Sequence, residues 1–158
     1  MSKSIEKTNV MRVLDSLKAD YCPHCYINSG AVSGKDVADT LNENPNAVFK
    51  TLVTVSASGE HYVFLVPVSG ELDLKKAAKC VGEKKIEMIK SRELLPLTGY
   101  IHGGCSPIGM KKQFKTVIDS SCQNLDKIFI SAGKIGYQIE ISPAELAKAI
   151  NFTFADIT

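Results

Sequence analysis

The run Cys22-Pro23-His24-Cys25 sets two thiols three residues apart with an imidazole between them, as in a thiol–disulfide centre or half of a zinc site. A redox Cys-x-x-Cys needs its first thiol at a helix N-terminus, where free amides and the dipole favour the thiolate. Here the chain continues into Tyr26-Ile27-Asn28-Ser29-Gly30, and the last three of these break a helix before one turn is complete. On a strand, side chains three apart point to opposite faces and sit about 10 Å apart, beyond the ~7 Å Cα separation that a disulfide tolerates. A structural zinc site wants a second close pair of Cys or His, and Cys80, Cys105 and Cys122 each stand alone. The expectation is therefore no metal and no cofactor. Five cysteines, an odd count at irregular spacing, suit free thiols in a reducing cytoplasm.

A second chemical cluster lies in residues 97–112, LTGYIHGGCSPIGMKK, with four glycines, a proline and two lysines. His102 and Cys105 share this loop, and a nucleophilic cysteine needs such a base within hydrogen-bond reach, although the spacing alone is not diagnostic. Glycines also let backbone N–H groups turn toward a phosphate or an oxyanion. The same composition makes an ordinary surface turn, and the loop by itself does not decide between the two.

Charge narrows the class of partner. The net charge of +2 conceals a basic middle: residues 75–115 carry ten Lys/Arg against three Asp/Glu, between two acidic ends. Clustered cations draw phosphates and release counterions, but lysines on a helix also simply solvate its outer face, and charge alone favours that plainer reading. No apolar run is long enough to span a membrane, and the polar start MSKSIEKTNV lacks the apolar centre of a secretory signal. At 158 residues the chain is expected to form one domain over 1–158.

The elements that must position these residues follow from periodicity. Val10, Val13, Leu14 and Leu17, widened by Ile5 and Met11, predict an opening amphipathic helix. Residues 21–27 read as a strand, and Ser33 with Asp36 marks the start of a second helix over Val37, Ala38 and Leu41. VFKTLVTV and HYVFLVPV, separated by SASGE, predict a hairpin. Leu74, Ala77, Ala78 and Val81 fall on one face of a helix that Gly82 ends. Short strands are predicted at KIEMI, GYIHG, KTVID, KIFIS and YQIEI, then a helix in SPAELAKAI with Ser142 as cap, Pro143 in first position and Glu145 completing a capping box. Many short strands and about four helices without strict alternation predict an α+β domain around a mixed, barrel-like sheet.

Seven segments, VFKTLV, LVPVSGELDLKKAAK, KKIEM, LTGYIHGGCSPIGMKK, TVIDSS, IFISAGKIGYQIEISPAELAKAI and FADI, run in one order from about Tyr21 to the C-terminus. In them the chain resembles the YbaK/EbsC family of aminoacyl-tRNA deacylases, related to the editing domain inserted in bacterial prolyl-tRNA synthetases. The resemblance implies that family's α+β fold and hydrolytic removal of wrongly attached amino acids, typically cysteine on proline tRNA. Cysteine and proline are close in bulk, so one pocket separates them weakly and a second check has a physical rationale.

Residue by residue, the resemblance implies that Lys50 is the family lysine that fixes the tRNA 3′ end and that Gly103 supplies the backbone contact to the substrate carbonyl or ribose. Gly104, Cys105, Ser106 and Pro107 complete the loop, while Tyr26 and Ser131 line the pocket. Alternation along the first strand adds His24 on the face of Tyr26. Some members carry Asp where this chain has Gln138, which can position by hydrogen bonding but not act as an acid. Cys105 fills a slot that is commonly apolar in the family, which argues against it as nucleophile. The mechanism implied uses the substrate's own thiol. Lys75, Lys76, Lys79, Lys84, Lys85, Lys111 and Lys112 become candidates to steer the tRNA, with prolyl-tRNA synthetase as a candidate partner and neither membrane nor DNA expected. The rival readings are a deacylase for Ala-tRNA(Pro) or another mischarged tRNA, and a non-catalytic tRNA- or synthetase-binding module.

Overall fold

The computed structural model describes residues 6–27, 29, 31 and 34–158. Helix α1 (Asn9–Ser16) is capped by the Thr8 hydroxyl, which accepts from the Met11 N–H, and it buries Val10, Met11 and Leu14. Leu17 falls after its end and is 42% exposed, while Ile5 lies outside the described residues. Strand β1 (Cys22–Cys25) and helix α2 (Gly34–Thr40) follow, with Val37 and Ala38 buried. The proposed cap Ser33 also lies outside the described residues.

The hairpin is as read: β2 (Phe49–Ser56) pairs antiparallel with β3 (His61–Pro67), Lys50 opposite Val66. Helix α3 (Leu74–Val81) starts at Asp73, whose carboxylate accepts from the Lys75 and Lys76 N–H groups. It ends at Gly82, which takes the left-handed conformation (φ 73°) that its lack of Cβ makes cheap. Ala77 and Ala78 are buried there, but Leu74 is 39% exposed.

Strand β4 (Ile86–Met88) precedes helix α4 (Ser91–Thr98), which the sequence reading missed because Pro96 lies inside it. The strand expected at GYIHG is instead loop. Tyr100 is buried with its N–H on the Thr98 hydroxyl and its phenol donating to the Ile108 carbonyl, and the Lys111 N–H closes the loop onto the Thr98 carbonyl. These bonds tie the segment across its own loop, and none of them runs to a neighbouring strand.

The remaining elements are β5 (Lys115–Asp119), β6 (Ile128–Ser131), β7 (Tyr137–Ile141), α5 (Pro143–Leu146) and β8 (Thr153–Ala155). Ser142 caps α5 by accepting from the Glu145 N–H, as predicted. The Glu145 carboxylate, however, accepts from the Asp20 N–H and pairs with Lys148, so the return half of the capping box is not made. Strand β8 was not foreseen.

The strands form a five-stranded sheet in the order β4-β2-β3-β5-β8 and a three-stranded sheet in the order β1-β7-β6. Both parallel pairs, β3 with β5 and β5 with β8, lie in the larger sheet, so the architecture is α+β with mixed pairing, as expected. Among the described residues it does not close into a barrel: one isolated parallel bridge, between Val48 and Phe129, links the sheets. Strand β3 explains the apolar run of its sequence. Val63 and Leu65 enter one core with α1, β6 and β7, whereas Phe64 and Val66 enter a second core under α3. No helix among the described residues is long and apolar enough to cross a membrane.

Candidate functional site

Where the two sheets diverge, β2 and the smaller sheet enclose a cavity of about 640 Å3. Its walls come from β2 (Phe49 to Val53), the start of α4 (Ser91 and Leu94) and the glycine loop (His102, Gly103 and Cys105). Tyr26, Ser131 and Gln138 close it from the smaller sheet. The helix that was hidden by Pro96 thus forms one wall.

Lys50 is the central cation. Its side chain is 29% exposed, and its ammonium lies 3.4 Å from the carboxylate of Glu71, which is 91% exposed. A pair this open to solvent contributes little and restrains the lysine weakly, so the cation is available to a ligand in the cavity. Opposite, the register places both His24 and Ser131 beside Gln138, whose side chain is 4% exposed and whose Oε1 has no hydrogen-bond donor. A buried amide oxygen without a partner costs free energy, and a donor brought by a ligand would relieve it. The Ser131 hydroxyl already accepts from the Gly133 N–H. Tyr26 is buried, and that burial raises its phenol above the usual range, keeping it a neutral donor.

In the glycine loop, Gly103 holds φ 87° and lines the cavity, so its backbone is presented where a side chain would be strained. Gly104 serves packing instead, since a Cβ there would stand 3.0 Å from the Ile135 nitrogen. Ser106 is wholly buried, with its hydroxyl accepting from the Ile108 N–H, and neither it nor Pro107 or Gly104 reaches the cavity. Cys105 does reach it, but burial pushes its thiol up to about 12. No hydrogen bond joins it to His102 among the described residues. An un-ionised thiol without a base is a poor nucleophile.

Two groups of expected site residues are not brought to the cavity. His24 does not line it, although its register partner Gln138 does: its imidazole lies 3.1 Å from the Glu140 carboxylate and tilts against Phe129. None of the seven lysines Lys75, Lys76, Lys79, Lys84, Lys85, Lys111 and Lys112 lines it either; Lys76 pairs with Asp156 and Lys85 with Glu87. The lysines that do line it, besides Lys50, are Lys35 and Lys90, which the sequence reading did not single out.

Glu43 was also missed. Both its carboxylate oxygens are buried without a hydrogen-bond donor, although the Gln138 amide lies close enough to favour its ionised form. Burial dominates and raises it to about 7. In the polar run Leu41-Asn42-Glu43-Asn44 a carboxylate reads as solvated, so no local pattern marks it.

With this geometry in view, the likeness to known proteins is informative. Residues 29–149 match the family model of the aminoacyl-tRNA editing domain. EbsC of Enterococcus faecalis, a protein named for Cys-tRNA(Pro)/Cys-tRNA(Cys) deacylation, is 43% identical over 157 residues, covering 99% of this chain and 96% of that one. The proline–tRNA ligase of Pelobacter propionicus is 30% identical over 99 residues, 63% of this chain but only 17% of that much longer enzyme. A crystal structure described as that of a trans-editing enzyme for prolyl-tRNA synthetase superposes with a TM-score of 0.82 at 22% identity, covering 97% of this chain and 99% of that one, and supports the fold. The chain belongs to the aminoacyl-tRNA editing domain family.

Proposed function

We propose that this chain, acting as a single editing domain over residues 1–158, is a cytoplasmic trans-editing deacylase that releases cysteine from Cys-tRNA(Pro), and from Cys-tRNA(Cys) as well. The observation that carries the reading is a cavity that pairs the Lys50 cation with the backbone of Gly103 and whose one lining cysteine among the described residues, Cys105, is held un-ionised. Such a site suits a substrate that brings its own nucleophile.

In the reaction, the thiolate of the bound cysteine attacks its ester carbonyl carbon. The new C–S bond closes a strained cyclic thioester as the C–O bond to the ribose breaks, and the departing 3′ oxygen takes a proton. Water then opens the ring to free cysteine. Lys50 holds the tRNA 3′ end by charge, and the Gly103 backbone faces the carbonyl where negative charge develops. The unpaired Gln138 Oε1 accepts from a donor on the amino acid. The basic segment steers the polyanion from outside the cavity, and prolyl-tRNA synthetase is the proposed partner that selects proline tRNA.

The test is release of labelled cysteine from charged proline tRNA. Catalytic release supports the reading. Protection of the ester would make the chain a binding module, and rapid release of alanine with weak action on cysteine would exclude cyclisation, because alanine has no thiol.

A further inference from the structure

Further along β1 from Tyr26, the strand gathers the pieces of a different site, none of which lines the cavity. Cys22 is the register partner of Glu140, and His24, two residues on, shares their face of the antiparallel pair. The Cys22 Sγ, the His24 imidazole and a Glu140 carboxylate oxygen all lie within 4.8 Å of one another, with His24 Nε2 and Glu140 Oε1 at 3.1 Å. A four-coordinate ion with bonds of about 2.0–2.3 Å holds its ligand atoms roughly 3.3–3.8 Å apart. Closing this set therefore requires the ligand atoms to draw together by no more than about 1.0–1.5 Å. Strand β1 is the edge of its sheet and Cys22 is exposed, so an ion can enter from solvent.

The charge around the trio favours a cation. The Glu140 carboxylate already faces the imidazole, 3.1 Å from His24 Nε2. The donor set chooses among cations: sulfur and imidazole nitrogen do not suit magnesium or calcium, whereas one S, one N and one O match zinc with a fourth position left to water.

We propose that Cys22, His24 and Glu140 form a surface site for a borderline-soft divalent ion of the zinc type, separate from the deacylation cavity. Binding makes the Sγ–metal bond as the Cys22 thiol loses its proton to water, and the neutral His24 ring binds through Nε2. The Cys-x-x-Cys spacing hides this site, because its third ligand arrives from β7 more than a hundred residues later, and Cys25 is not among the ligands.

The test uses cobalt(II) as a probe on the full, metal-free chain. The expected result is one equivalent bound, with a near-ultraviolet thiolate-to-cobalt band and strong visible bands of a four-coordinate ion. Cys22→Ser removes the thiolate band, and His24→Ala or Glu140→Gln weakens binding by roughly 100-fold or more. Cys25→Ser leaves the spectrum unchanged. Absence of the band at stoichiometric cobalt, or its survival in Cys22→Ser, overturns the proposal. A second readout needs no variant: zinc should slow alkylation of Cys22 while Cys25, equally open to solvent, still reacts. Equal protection of both thiols, or of neither, also overturns it. None of these readouts depends on deacylation.

Discussion

Cys105 and the two cysteines of β1 look alike on paper, each a thiol within three residues of a histidine, yet the fold gives them opposite characters. Cys105 faces a ligand cavity but is desolvated, with its thiol raised to about 12. Cys22 and Cys25 are exposed, on opposite sides of a strand rather than at a helix start. Proximity to histidine is therefore not what decides thiol chemistry here. Solvation and the direction of the side chain decide it, and they leave the one cysteine that lines the cavity among the described residues un-ionised.

The widest gap this comparison predicts is in alkylation. At pH 8, without added metal, Cys22 and Cys25 should react with iodoacetamide on the order of a thousandfold faster than Cys105, since only thiolates attack and burial withholds both ionisation and access. Peptide mass mapping over time measures it, and comparable rates would mean that Cys105 is an activated nucleophile after all. Next in size is catalysis. Lys50→Ala should slow cysteine release from proline tRNA by roughly 100- to 1000-fold, the scale of losing one charge-stabilising group, while Cys105→Ala stays within a fewfold of the parent. The reverse pattern would move the chemistry back to the protein thiol.

The buried carboxyl between the two regions gives a smaller effect on stability. Glu43 titrates at about 7 in the fold against an ordinary 4.5, so between those pH values the native state keeps a proton that the unfolded chain has lost. Its neutral form contributes fully below about pH 4.5, and that contribution is lost as the pH rises through about 7. Glu43→Gln stays neutral throughout. It should flatten this slope in urea unfolding and exceed the parent by roughly 1–3 kcal/mol at pH 8. A parent whose stability is level from pH 5 to 8 would show that Glu43 finds a partner in solution. The smallest single-residue effects belong to the outer lysines. Lys75→Ala, Lys79→Ala or Lys112→Ala should each weaken tRNA binding about equally for any sequence and shallow its salt dependence by about one unit of log–log slope. A flat salt response in the parent would remove the steering role.

Much of the frame was legible because its signals are local. Asp73 and Gly82 bound α3, Ser142 and Pro143 open α5, and runs of β-branched and aromatic residues around a short turn mark β2 and β3, all local signals. Helix α4 was not legible, since Pro96 opposes it locally and what favours it includes the packing of Leu94 and Leu97 against the core. The strand expected at residues 99–103 failed for a related reason: Tyr100 earns more by reaching Ile108 and the core than by pairing in a ladder. In the site, Lys50, Gly103, Tyr26, Ser131 and Gln138 line one cavity, whereas His24 stays outside it with its imidazole on Glu140 and Phe129.

By itself, the sequence determined the family, the capped helices, the hairpin and the lysine and glycine motifs, because these rest on residue type and short-range spacing. Only the tertiary structure decided which thiols are solvated, which lysines face the cavity, that Glu43 is a buried carboxyl, and that Glu140 meets Cys22 and His24. Those properties depend on burial and on contacts between residues far apart in the chain, and no local pattern encodes either.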